Sequence, residues 1–211
     1  SSPQVERLRQ RGGAVLAGQS TASEFGGVNL TRTVLHGATL NPWNEAHTPG
    51  GSSGGAAASV AGGLFTLGTA SDGGGSIRIP AGFCGLVGLK ATFGRIPLGP
   101  NSQYGNLTVV TGCVSRSVRD TARWFDVCNG HDARDPLSLQ RVEGWEAGLG
   151  SHVASLAGAR VAFAPTWGNA TVAPITTNDK ITMPDGSNPI ILVVTQESDE
   201  TGPAYSRLDF Q

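Results

Sequence analysis

Lysine is nearly absent from this chain: Lys90 and Lys180 are the only two in 211 residues. Charge is sparse as a whole, at 15% Asp, Glu, Lys and Arg, and it balances to −1. Without a basic stripe, no nucleic-acid partner and no anionic membrane surface is expected. Long apolar runs are missing too, and residues 1–20 lack the charged-then-apolar layout of a secretion signal, so no membrane association is expected. Cysteine is scarce. Cys84, Cys113 and Cys128 make an odd number with no CxxC pair, which disfavours a disulfide framework or a zinc site and makes a reducing cytoplasm the expected location. The histidines, His36, His47, His131 and His152, fall in no HxH or HExxH pattern and are read as surface or loop residues. No metal or organic cofactor is expected. What remains is an apolar fraction of 38%, ordinary for a soluble globular domain, and an unusual 31 glycines.

A coarse reading along the chain places the elements. Residues 5–11 (VERLRQR) put Val5 and Leu8 on one face before Gly12 and Gly13, a short amphipathic helix with a glycine stop. Residues 14–17 (AVLA) read as a buried strand, residues 30–50 as an irregular loop, residues 54–63 as a tightly packed helix of small residues, and residues 64–67 (LFTL) as a strand. Ser117 opens a helix with a capping-box pattern, Val118, Ala122, Phe125 and Val127 or Cys128 supply its apolar stripe, and Asn129-Gly130 ends it. Residues 160–164 (RVAFA) read as another strand. Past about Gly168 the composition shifts towards Thr, Asp and Ser. Residues 1–168 are therefore taken as a domain and 169–211 as a divergent tail, with a hairpin of strands 180–183 and 189–196 about Asp185-Gly186. Trp43, Trp124, Trp145 and Trp167 are read as packing residues in preference to pocket lining.

The glycines cluster around serines, in GGSSGG at 50–55 and in DGGGSIRIP at 72–80. Three glycines before Ser76 let successive N–H groups turn inward, because glycine tolerates positive φ and puts no side chain in the way. A concave row of N–H donors beside a hydroxyl suits the oxyanion that forms when serine attacks a carbonyl. Two other readings of these glycines compete. A phosphate-binding loop needs a lysine after its glycines, and Ser76 is followed by Ile77. Residues 51–55 also match the G-x-S-x-G nucleophile elbow centred on Ser53, but that elbow needs a strand before it, and NEAHTP makes a poor one.

Residues 48–97 as a whole resemble the signature region of the amidase-signature family. The resemblance lies in the GGSSGG pair, the D-x-GGS-I-R-x-P loop, the FCG segment and the GLK-x-T-x-GR-I-P continuation, with flanking likeness over roughly residues 3–168. It implies an α/β fold with a mixed sheet covered by helices, incomplete in this chain. It also implies hydrolysis of the C–N bond of a small-molecule amide through a Ser–cis-Ser–Lys triad. By position Ser76 would be the nucleophile and Ser52, behind a cis Gly51-Ser52 bond, its relay. The N–H groups of Gly73, Gly74, Gly75 and Ser76 would form the oxyanion hole, with Ser53, Asp72 and Arg78 in support. Arg78 is open to two readings, a contact for a substrate carboxylate or a structural ion pair.

The lysine that the resemblance requires has no counterpart. In the family it lies further N-terminal than residue 1, Lys90 belongs to the structural GLK segment, and Lys180 lies in the tail. Three readings follow: one stretch of a longer or cleaved polypeptide, a second chain or homo-oligomer that completes the fold, or a non-catalytic remnant that acts by assembly through an unfinished sheet. The A subunit of a tRNA-dependent amidotransferase shares the signature and is the nearest enzymatic alternative.

Overall fold

A computed structural model describes residues 1–99, 107–151, 193–197 and 205–209 of the chain. The chain divides into two units, Ser1–Leu149 and Gly150–Gln211.

The first unit is organised around a three-stranded antiparallel sheet. Strand β3 (Leu67–Asp72) pairs with β5 (Val110–Ser115) from Leu67↔Ser115 to Asp72↔Val110, and the two-residue β4 (Val87–Gly88) pairs with the other edge of β5. β5 is therefore central, and side chains along a strand alternate between faces. Cys113 enters a cluster with Leu8, Ala91, Ile96, Trp124, Phe125 and Cys128, while its neighbour Val114 enters one with Ala56, Val60, Ala70, Ile77 and Ala81. All three cysteines are unpaired and buried, and burial pushes the Cys113 and Cys128 thiols up to about 12.

Four helices dress this sheet: α1 (Pro3–Gln10), α2 (Gly54–Ala61), α3 (Arg78–Cys84) and α4 (Val118–Cys128). α4 forms as its sequence requires. The Ser117 hydroxyl accepts the Asp120 N–H at 3.1 Å, and the helix ends at Asn129. Ala122, Phe125 and Cys128 face the core as expected and Trp124 joins them, whereas Val118 is exposed. α1 lies against α4 and supplies an unexpected clamp. The buried Arg7 guanidinium donates to the carbonyls of Cys128 (2.7 Å), Gly130 (2.9 Å) and His131 (2.8 Å), taking up the last carbonyl of α4 and two from the loop after it.

Three expectations are corrected. Residues 14–17 form no strand, and Val15 and Leu16 are exposed, because the chain runs out from Gly13 with no neighbouring strand to pair among the described residues. The strand expected at 64–67 begins at Leu67 and continues to Asp72, leaving Leu64 and Phe65 exposed. The loop at 30–50 contains a small antiparallel ladder, β1 (Arg32–Thr33) with β2 (Gly37–Ala38). The fold class stands, although the paired strands of this unit are all antiparallel among the described residues. In the second unit, β6 (Val193–Glu197) pairs antiparallel with β7 (Tyr205–Asp209). The strands expected at 160–164 and 180–183 lie outside the described residues.

Replacing Arg7 with Met keeps most of its packing but strips three carbonyls of their donor. At about 1–3 kcal/mol per buried group left unpaired, with partial relaxation, a loss of about 3 kcal/mol in urea denaturation is expected. A loss below about 0.5 kcal/mol, the range of ordinary surface substitutions, would show that the clamp carries no weight.

Candidate active site

The path from α2 to β3 explains why the two glycine–serine clusters share one end of the sheet. α2 starts just after Ser53 and runs away from it, the chain turns through residues 62–66, and β3 returns alongside α2 to end at Asp72. The Ser53 hydroxyl lies 3.5 Å from the Ser71 carbonyl and ties the two ends together. Gly50 packs against the first turn of α3, where a Cβ on it would sit 2.9 Å from Ile79 Cγ2.

Asp72 organises the second cluster. Its carboxylate is fully buried and accepts the Gly75 N–H (2.7 Å), the Ile77 N–H (3.3 Å) and the Arg78 N–H (3.4 Å). It also takes Nε and Nη2 of Arg78 at 2.8 and 3.0 Å. Burial pushes this carboxyl up, but the Arg78 side chain and the N–H groups of Gly75 and Arg78 outweigh it and hold the group down at about 2, against an ordinary 3.8. Arg78 thus forms the ion pair that is one of its two readings. Gly75 can turn its N–H back to Asp72 because it adopts φ 114°, a region closed to residues with a side chain. The next peptide is held from its other side, where the Gly75 carbonyl accepts the Ile79 N–H at 2.7 Å.

These bonds sort the expected oxyanion donors. The Gly75 N–H is committed to Asp72. The N–H groups of Gly74 and Ser76 have no hydrogen-bond partner among the described residues, and Ser76 is 7% exposed.

The first cluster is held by residues outside any recognisable motif. The Gly51-Ser52 peptide is cis, and Ser52 and Ser53 are buried. The Thr31 hydroxyl lies 2.9 Å from the Gly50 carbonyl and 3.3 Å from that of Ser52, and it accepts the Gly54 N–H at 3.0 Å. A Cβ on Gly54 would collide with the Thr31 side chain, so glycine is needed for this approach. The Ser23 N–H donates to the Ser52 carbonyl at 3.0 Å. From the loop before this cluster, Asn41 and Trp43 reach α3: Asn41 Nδ2 donates to the Phe83 carbonyl and Trp43 Nε1 to that of Cys84. Nothing local in the sequence signals Thr31 or Ser23; only the pairing of distant segments reveals them.

Among the described residues neither the Ser52 nor the Ser76 hydroxyl has a hydrogen-bond partner, so the two are not bonded to each other here. Lys90 is half-buried, Lys180 and His152 lie outside the described residues, and the His131 ring contacts the Ser138 hydroxyl at 3.1 Å.

Comparison with known proteins adds relatives to this geometry. The family described as Amidase matches residues 1–178. The A subunit of glutamyl-tRNA(Gln) amidotransferase from Oleidesulfovibrio alaskensis is 44% identical over 166 residues, covering 78% of this chain and 34% of that protein. The protein of the same name from Methanococcoides burtonii is 42% identical over 145 residues, covering 69% and 30%. Among solved structures, a bacterial aryl acylamidase of the amidase-signature enzymes aligns with TM-score 0.63 and 35% identity, over 70% of this chain and 30% of that one. The 6-aminohexanoate cyclic dimer hydrolase aligns with TM-score 0.64 and 40% identity, over 67% and 30%. The chain thus spans about a third of the length of the curated relatives it matches.

The Asp72 bonds have a pH signature. A carboxyl held at about 2 when folded and near 3.8 when unfolded stabilises the protein fully above the higher value and loses that contribution as pH falls through the lower. Asp72→Asn is therefore expected to be less stable than the parent at neutral pH, with the gap closing as pH drops from about 4 towards 2. Urea titrations across that range check this; a gap independent of pH would mean that Asp72 acts through packing alone.

Proposed function

The chain belongs to the amidase-signature family, and from that premise we propose that Ser76 attacks the carbonyl carbon of an amide substrate and carries its acyl group. The observation that carries this reading is the turn bearing Ser76. It leaves the N–H groups of Gly74 and Ser76 without partners among the described residues, beside the hydroxyl, while Asp72 and Arg78 hold the backbone.

In this mechanism the Ser76 Oγ bonds to the carbonyl carbon as its proton passes to Ser52, which hands its own hydroxyl proton to a base. The carbonyl oxygen becomes an oxyanion facing the N–H groups of Gly74 and Ser76, with Gly73 beside them. Such donors are worth roughly 10²–10³ in rate each in acyl transfer. The C–N bond then breaks, the nitrogen leaves with a proton as ammonia or an amine, and water attacks the ester to release the acid and free Ser76. Ser52 returns its proton to the leaving nitrogen. Its base is assigned to a lysine outside residues 1–211, because neither Lys90 nor Lys180 takes the position that the resemblance requires. Further polypeptide, as another segment or a second chain, is thus part of the proposal. Exposed apolar side chains support it, with Phe25, Val15, Val34 and Leu35 all more than four-fifths open. Three unpaired, buried thiols fit a reducing cytoplasm.

The glutamyl-tRNA(Gln) amidotransferase relatives favour a second reading, in which the chain is part of such an amidotransferase and acts within a larger assembly. Ammonia release from free glutamine, with no turnover of simple aryl amides, would select it.

A fluorophosphonate probe tests the chemistry common to both. Labelling is expected at Ser76, absent in Ser76→Ala, and slowed about a hundredfold or more in Ser52→Ala, the scale of lost proton relay. Labelling at Ser53 instead would establish the elbow reading, and a well-folded chain that never labels would establish a non-catalytic remnant.

A further inference from the structure

The glycine loop holds one more restraint. The Thr108 hydroxyl donates to the Gly73 carbonyl at 3.1 Å. We propose that Thr108 is a positioning residue: by holding that carbonyl it sets the direction of the Gly74 N–H, one of the oxyanion donors. The inference rests on the acyl-enzyme reading and deepens it.

Strand register places Thr108. The β3–β5 ladder ends at Asp72↔Val110, and continuing the register sets Val109 beside Gly73 and Thr108 beside Gly74. Val109 is indeed there, with Cγ2 3.0 Å from where a Cβ on Gly73 would lie. Backbone pairing stops at this point and a side-chain hydroxyl takes over. Had the ladder run on, loop N–H groups would be drawn into the sheet.

Peptide geometry does the rest. The Gly73 carbonyl and the Gly74 N–H belong to one planar trans unit and point in opposite directions, so fixing the oxygen aims the hydrogen. Packing does not fix it, since a Cβ on Gly74 would meet nothing within 4 Å, and glycine on both sides leaves the unit free to swing. The Gly74–Gly75 unit is held through its N–H by Asp72, and the Gly75–Ser76 unit through its carbonyl by the Ile79 N–H. With Thr108, all three consecutive units are pinned. The two pinned through their carbonyls are those whose N–H groups are unbonded among the described residues. A hydrogen bond on the carbonyl also polarises the N–H of the same unit, strengthening it as a donor.

Thr108 is exposed, so its replacement leaves the core untouched. Two variants test the idea, Thr108→Val, which keeps shape and loses the donor, and Thr108→Ser, which restores it. In protein labelled with ¹⁵N-glycine, the Gly74 amide resonance is expected to move in Thr108→Val and to return in Thr108→Ser. Fluorophosphonate labelling of Ser76 should slow roughly tenfold in Thr108→Val, less than outright loss of a donor, and recover to within about threefold in Thr108→Ser. An unmoved Gly74 resonance, or a labelling rate unchanged by Thr108→Val, overturns the inference. If the parent protein itself fails to label, the acyl-enzyme reading falls instead, and the Gly74 resonance alone decides whether Thr108 aims this peptide.

Discussion

A carboxylate taken out of water is costly unless its charge and lone pairs are satisfied, and Asp72 is satisfied by five bonds at the point where β3 gives way to α3. That requirement dictates the local chain path. Three of the donors are backbone N–H groups within six residues, so they converge on one carboxylate only if the chain folds back tightly, and Gly75 at φ 114° makes that turn possible. Arg78 then neutralises the charge from the solvent side, its side chain about half exposed. Ser76 sits inside this return, and its position is a consequence of how Asp72 is satisfied.

The other serine cluster is held without charge. Thr31 reaches across the Gly50–Gly54 loop with one hydroxyl, acting as donor on one side and acceptor on the other. A neutral hub suits this position because Thr31 and the loop are buried, where an unpaired carboxylate would be costly. The small residues of α2 follow from the same geometry. Two loops and a helix can meet at one strand end only if the helix rides close on the sheet, and Ala56, Val60, Ala70 and Val114 pack there with little side chain between backbones.

Much of this site was legible because its motifs are local. Asp72, the three glycines, Ser76 and Arg78 act on one another within seven residues, and the cap at Ser117 acts across three. What stayed hidden depends on pairing between distant segments. β5 has a core on each face, so it shows no apolar–polar alternation, and its Gly112 and Thr111 look like loop. β3 reads LGTASD because a close helix demands small residues, which dilutes the β-branched signal that marks a strand. The reverse holds at residues 14–17, where an apolar run promised a strand but no partner lies alongside among the described residues. Thr31 and Thr108 were invisible for the same reason, as a lone threonine carries no pattern until a fold brings a carbonyl to it.

The electrostatics of the site bear on what a base for Ser52 would require. A lysine accepts a proton only when neutral, and either positive neighbours or loss of water must lower its affinity for that proton. Arg78 is a poor source of the first, because its charge is already paired with Asp72 through Nε and Nη2. Desolvation is left, and the described residues give little of it on this side: the segment touching Ser52 through Ser23 continues into Phe25, Val28, Leu30, Val34 and Leu35, all open to solvent. Polypeptide that covered this apolar run would remove water from the mouth of the Ser52 loop. In the proposed mechanism such a cover would supply the loss of water that a neutral lysine beside Ser52 requires.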